Sequence, residues 1–311
     1  MIKLKIGSRK SDLATWQATT VKEALQKENP DHNFEMVYMS TTGDRVLDQP
    51  LYNLGGKGLF VKELEKALLD GRIDMAVHSL KDVPSQVAKD FLIMPVLKRA
   101  NPSDSLINLA NLSIDKLPDQ AVIGTSSLRR ELQLKRINPS FEVLPLRGNI
   151  QTRIAKLKDK SFMAIVLAEA GLARLEAKID HQILSPSVML PASGQGILAI
   201  EVLASRTDLI EDIKKIQDKA TLACAICERA FLDGLGGDCW TPIASLSQLE
   251  NNNNTINIKG AVFSPVGKKH LSLSEVGDIN KAEEVGKNLA QKILAKGGGE
   301  LLKDSINYYR Q

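Results

Sequence analysis

Three times in the first half of the chain a short apolar run passes through a turn of small residues into an amphipathic segment. Each time, arginine stands near the start of that segment. In "KLKIGSRKSDLATWQATTVKEALQ", Leu4 and Ile6 mark a strand and Gly7-Ser8 a turn holding Arg9 and Lys10. Ser11 is a fitting N-cap, and Leu13, Trp16, Gln17, Val21 and Leu25 then form one helical face. In "AVIGTSSLRRELQLKRI", a buried strand at Ala121–Ile123 precedes a helix along Leu128, Leu132, Leu134 and Ile137, ending near Pro139. In "FEVLPLRGNIQTRIAKL", a strand to Leu146 and a turn at Arg147-Gly148-Asn149 lead into a helix carrying Arg153. Alternating strands and helices predict an α/β fold with largely parallel sheets, which bind ligands in the crevice beyond the carboxyl ends of their strands.

The middle turn, "GTSSLRR", is electrostatically odd. The first turn of a helix carries partial positive charge and favours Asp or Glu, yet Arg129 and Arg130 fall there, behind the candidate caps Ser126 and Ser127. Two readings stand: solvated surface cations, or an anion at this terminus held by both guanidiniums.

Between the first two turns, "GGKG" makes a glycine loop around Lys57. Leu59, Phe60, Leu64, Ala67 and Leu68 give a helical stripe stopped by Gly71, and "IDMAVHS" is a buried strand with Lys81, Asp82, Val83 and Pro84 at its carboxyl end. "GGKG" lacks the spacing and hydroxyl residue of a nucleotide-binding P-loop, and no GxGxxG follows the first strand. Pro-rich crossings at 98–105 and 185–196 bracket an inserted block. The expected division is therefore a discontinuous first domain (1–98 and 197–217), a second α/β domain (103–190) and a small α+β domain (219–311). The last has a helix, three strand candidates separated first by an "NNNN" turn, and a final helix over about 280–295. No sequence repeat or heptad pattern is present.

A net charge of +4, 4% aromatic residues and no Lys/Arg tract argue against a nucleic-acid partner. No apolar run reaches the roughly 20 residues of a membrane span, and "MIKLKIGSRK" enters a strand at once, so a cytoplasmic address without a secretion signal is expected. Cys224 and Cys227 lie on a continuous helix beside Ala220, Ala223 and Phe231, which favours core packing over redox chemistry; four scattered histidines complete no metal set. Cys239 differs. Its glycine-rich loop "GLGGDCWTP" suits a reactive thiol, more so if a cationic cleft lowers the thiol pKa. Asp82 is either a turn residue before Pro84 or a carboxylate held ionised by surrounding cations, and Lys81 either an anion clamp or a surface lysine.

The ordered set "GSRKS", "GGKGLFVKELE", "AVHSLKDVP", "GTSSLRR", "LRGNIQTR", "GQG" and "GGDCWTP" resembles the porphobilinogen deaminase (hydroxymethylbilane synthase) family over nearly the whole chain. The resemblance implies two domains similar to type II periplasmic binding proteins, joined by crossover linkers, plus the small α+β domain. It implies a cytoplasmic, monomeric transferase of tetrapyrrole and haem biosynthesis. Four porphobilinogens are condensed head to tail into hydroxymethylbilane, with release of ammonia, on a dipyrromethane primer.

By motif, Cys239 would carry that primer through a thioether and Asp82 would be catalytic. Lys81, Asp82, Thr125, Ser127, Arg129, Arg130 and Gly148 would bind the cofactor, and Arg9, Ser11, Arg147, Arg153, Arg174 and Gln195 the substrate. Lys57 and Phe60 would lie on a mobile loop, and no metal is implied. Each porphobilinogen carries an acetate and a propionate, so the ligand would supply the charge that compensates Arg129 and Arg130. One departure is Asp238 before the cysteine, where the family often has glycine; a carboxylate there would raise the thiol pKa. The competing function is a non-catalytic carboxylate-binding module of periplasmic-receptor type.

Overall fold

The computed structural model describes residues 2–41, 61–238, 241–252, 254–265 and 269–310. Lys57, Phe60 and Cys239 lie outside these residues. The chain opens β1 (Ile2–Arg9), α1 (Asp12–Glu28), β2 (His32–Met39), α2 (Lys62–Leu69), β3 (Met75–Ser79), β4 (Phe91–Val96). It crosses over into β5 (Asp104–Ile107), β6 (Val122–Gly124), α3 (Leu128–Ile137), β7 (Glu142–Leu144), α4 (Ile150–Lys158), β8 (Ala164–Ala168), α5 (Glu169–Arg174) and β9 (Gln182–Leu184). It returns as β10 (Leu198–Leu203) and α6 (Thr207–Lys214). It then builds α7 (Lys219–Gly234), β11 (Ile243–Glu250), β12 (Thr255–Phe263), β13 (His270–Asp278), α8 (Ala282–Ala295) and α9 (Gly298–Arg310).

The first two sheets share one plan. Their orders are β2-β1-β3-β10-β4 and β7-β6-β8-β5-β9. In each, the second strand of the order, β1 or β6, pairs in parallel with both neighbours. In each, one strand emerging from a crossover, β10 or β5, is inserted antiparallel between two others. The architecture is therefore α/β with two similar units joined by two crossovers, as expected, and the repeat that the sequence hides lies in topology. Helices cover both faces of these sheets, where apolar residues from strand and helix build separate cores.

Three local readings need correction. Gly7 and Ser8 are not a turn: β1 stays paired with β2 through Ser8 opposite Tyr38 and Arg9 opposite Met39. A Cβ at position 7 would lie 2.4 Å from Ile73 Cδ1, so any larger residue would displace that side chain. The strand to Leu146 stops at Leu144, and Leu146 continues into the core as loop. The chain also does not end its helices near 295. Gly297, at φ +87°, turns it into α9, which is held by Leu302 in the core and by Ser305 Oγ donating to Phe263 O at 2.7 Å. Tertiary packing overrides three consecutive glycines.

The antiparallel sheet β11-β12-β13 packs one face on α7 and α8 and the other, through Ala244, Leu246, Ala261 and Phe263, on Leu132 of α3. Cys224 and Cys227 are buried on α7, and burial pushes both thiols up, as core packing requires. Glu228 on the same helix receives Arg99 at 2.6 Å, Gly194 N at 2.6 Å and Ser247 N at 2.8 Å. One buried carboxylate thus ties both crossovers to the small domain. Among the described residues, no helix is long and apolar enough to cross a membrane.

Candidate functional site

The site begins where β3 ends. Residues 80–82 form a single tight turn fixed by Leu80 N donating to Ile197 O at 2.9 Å and by burial of Leu80 against Ile197 and Ala199. This anchoring carries Lys81 and Asp82 out of the strand as half-buried side chains. Lys81 Nζ donates to Gln195 Oε1 at 3.2 Å. Gln195 sits between two left-handed glycines, Gly194 (φ +73°) and Gly196 (φ +88°), the second so close to the first crossover that a Cβ would meet Ala100 O at 2.5 Å. Its amide nitrogen donates to Pro102 O at 2.6 Å and Asp104 Oδ1 at 2.9 Å, so its carbonyl oxygen must face Lys81.

The second part of the site is the β6–α3 turn. Ser127 is the N-cap residue but makes no side-chain capping bond, whereas Ser126 Oγ donates to Leu146 O. Thr125 is buried, and its hydroxyl accepts from Ser127 N at 3.2 Å. Arg129 and Arg130 are only 4% and 6% exposed, which rules out solvated surface cations. Both meet Asp104, the first residue of β5. Arg129 Nη1 reaches Oδ2 at 2.7 Å; Arg130 donates to Oδ1 from Nε at 3.1 Å and from Nη2 at 2.7 Å. Leu190 O and Val166 O take further bonds from the two guanidiniums. The charge compensating this pair is thus supplied first by the chain itself, which corrects the expectation that the ligand alone brings it.

The third part is the β7–α4 turn. Asn149 caps α4 by accepting from Thr152 N at 2.8 Å, Gly148 adopts φ +114°, and Arg153 Nε donates to Gly148 O at 2.8 Å. At the rim, Gln151 on α4 donates to Asp12 on α1 at 3.1 Å. Arg174 lies over the Trp16 ring at 5.7 Å and donates to Gly196 O at 2.8 Å. Ser11 spends its hydroxyl on the α1 cap, and Arg9 is half-buried at the end of β1.

The cations crowd one another. Burial first, then Arg130 and Arg129, bring Lys81 down to about 8, against the pull of Asp82 and Asp104. Burial and the charges of Arg130 and Arg147 lower Arg153 to about 10, opposed by Asp82. Burial lowers Arg147, and brings Arg174 to about 10. Asp104, although burial disfavours its charge, is held well below the usual carboxylate range by Arg129 and Arg130. Among the described residues, Asp82 and Asp104 are the carboxylates that act on Lys81, Arg129, Arg130 and Arg153. Four cations thus share two carboxylates among the described residues.

Two family models match the chain: "Porphobilinogen deaminase, dipyromethane cofactor binding domain" over residues 4–211, and "Porphobilinogen deaminase, C-terminal domain" over 222–295. The chain belongs to the porphobilinogen deaminase family. The porphobilinogen deaminases of Neisseria meningitidis serogroup A and Chromobacterium violaceum are each 44% identical to it, over 98% and 97% of both chains. That of Syntrophomonas wolfei is 41% identical over 97% of this chain and 98% of its own. Among solved structures, the probable amino-acid ABC transporter extracellular-binding protein ytmK of Bacillus subtilis aligns with a TM-score of 0.45 at 14% identity, over 70% of this chain and 90% of that one.

The cofactor-domain match of this porphobilinogen deaminase family chain spans the whole cationic cluster, and the C-terminal match spans Cys239. A dipyrromethane carries acetate and propionate side chains, and the donors left over suit them. Lys81 uses one of three N–H donors, and neither the remaining Arg129 nitrogens nor Arg153 Nη1 and Nη2 bond to described residues. The donor set fits the group. Asp104, central to this arrangement, was missed in the sequence: in "NPSDS" it reads as one more polar turn residue.

Proposed function

We propose that this protein condenses four porphobilinogens head to tail into hydroxymethylbilane, releasing ammonia, on a dipyrromethane held as a thioether by Cys239. The observation that carries the reading is the cluster of buried and half-buried cations around Asp82 and Asp104. When bound, the dipyrromethane would supply the pyrrole carbon to which the first substrate is joined. The remaining work falls to the chain. Arg129, Arg130, Arg153 and Lys81 bind carboxylates, with Thr125, Ser127 and Gly148 lining the cofactor side. Arg9, Ser11, Arg147, Arg174 and Gln195 serve the substrate side. Arg forks match carboxylate geometry and fix orientation as well as charge. The Asp82 carboxylate stabilises the pyrrole-methylene cation left when ammonia departs, and its oxygens accept and return protons as the new bond forms. Lys57 and Phe60 are assigned to a loop over the site.

The same reading divides the chain into domains at 1–98 with 197–217, 103–190 and 219–311. It makes the protein a cytoplasmic monomer with no nucleic-acid partner; the modest net charge of +4 and sparse aromatic residues support the last point. A periplasmic-type receptor is disfavoured, since it gives Cys239 no role. Intact mass spectrometry with a porphobilinogen turnover assay tests the proposal. The purified chain should carry a dipyrromethane adduct and consume porphobilinogen, and Cys239→Ser should fold, lack the adduct and be inactive. A chain that neither carries an adduct nor consumes porphobilinogen contradicts it.

A further inference from the structure

Asp104 is fully buried and bonds Arg129 and Arg130 of α3 and Gln195 of the second crossover. Its backbone is pinned on both sides, opposite Ala168 of β8 and Leu184 of β9, so its carboxylate has little freedom to follow its partners. On the opposite face of the sheet the next residue, Ser105, is equally buried and donates to Glu169 at 2.5 Å, which fixes the strand further. The Asp104 oxygens are shared unequally. Oδ1 accepts from Arg130 twice and from Gln195 once, whereas Oδ2 takes only Nη1 of Arg129. Arg130 is thereby locked, while Arg129 Nε and Nη2 bond to no described residue and can take another anion. Through Gln195, which lies on the other crossover, the same carboxylate fixes the acceptor that aims Lys81.

We propose that Asp104 is a positioning residue of the carboxylate-binding site: it presents the free edge of Arg129 and the ammonium of Lys81 to the incoming acetate and propionate groups. The inference rests on the proposed function and adds a residue that touches neither substrate nor cofactor. A carboxylate built into the protein serves two purposes at once. It orients the donors before ligand arrives, so less conformational freedom is lost on binding. It also keeps Lys81 charged, since the groups facing that amine are Asp82 and Asp104 on one side of the balance and Arg129 and Arg130 on the other. A purely structural ion pair would do neither.

Asp104→Asn and Asp104→Glu, made in the full chain beside the wild type, separate these roles. Asn should raise the KM for porphobilinogen at least about tenfold, the weight of one charge-assisted bond, with a smaller change in kcat. It should also move the alkaline limb of kcat/KM to lower pH. In the unloaded protein, Lys81 titration followed by NMR on labelled lysine should shift in the same direction. Glu keeps the charge but displaces it by a methylene, so its alkaline limb should match the wild type while KM remains raised. If Asn fails to fold, the Glu variant decides by its KM. Folded variants that lose only melting temperature, with KM and alkaline limb of the wild type, overturn the proposal. An inactive wild type would instead overturn the proposed function, so the two failures are distinct.

Discussion

The helices α1 and α3 occupy corresponding places, each following the second strand of a sheet with the same order (β1 or β6), yet their first turns are built on different principles. Ser11 caps α1 by accepting from Ala14 N, and Asp12 adds the acidic charge that a helix start favours. At α3 the N-cap Ser127 makes no such bond, and Arg129 and Arg130 precede the one acidic residue of the first turn, Glu131, placing net positive charge on the positive end of the helix. Local physics favours the first terminus and opposes the second. The second persists because Asp104 arrives from a distant strand and because burial among neighbouring elements holds the guanidiniums in place. One plan used twice thus gives a self-sufficient terminus on one side and, on the other, a terminus that stays short of negative charge. That shortage is what a ligand rich in carboxylates can fill.

The largest effect on this contrast should come from Asp82, the anion that the first unit lends to the cations of the second. Asp82→Asn keeps the shape and removes the charge, so turnover should fall by roughly 10²–10⁴-fold. Asp82→Glu should retain more activity than Asn. Steady-state rates check this, and Asn equal to wild type with Glu inactive would make Asp82 a turn residue only.

Stability should separate the two termini next. Arg130→Leu leaves Asp104 buried with half of its cationic partners. It should cost about 3 kcal/mol in urea unfolding, the low end for a broken buried pair because Arg129 remains. Ser11→Ala removes one capping bond and should cost about 1 kcal/mol. Equal costs at both positions would erase the distinction between the termini.

Much of this molecule is legible in its sequence. The strand–turn–helix layout, the Ser11 cap, the Gly71 stop and the apolar face of α7 follow from periodicity and local hydrogen bonding, and the structure has each of them. What stays hidden depends on residues far apart in the chain. The matching strand orders require β5 and β10 to return across crossovers, and nothing near either strand says which neighbours they will join. The continuation of β1 through Gly7 rests on pairing with β2 and β3, opposite Val37 and Ala76. Helix α9 begins in glycines that locally argue against it, and only its packing on Phe263 shows why it forms. The arginines of "GTSSLRR" were visible as an anomaly, but their partner Asp104 lies 25 and 26 residues away, so the pattern posed a question whose first answer is a tertiary contact.

The central claim is that the cleft is short of negative charge until ligand carboxylates arrive, and Lys81 reports it most directly. Burial and the neighbouring arginines lower its amine to about 8 from an ordinary value of 10.5. Between those values the folded chain binds fewer protons than the unfolded chain, so the Lys81 contribution to stability rises with pH across that window. Bound carboxylates should pull the amine back up and close the window. The decisive measurement is an NMR titration of labelled Lys81 in Cys239→Ser, which cannot attach the dipyrromethane, and in the loaded protein. A midpoint near 8 in the variant and a clearly higher one in the loaded protein is the predicted result. The same midpoint in both, or a lower one after loading, would contradict the account.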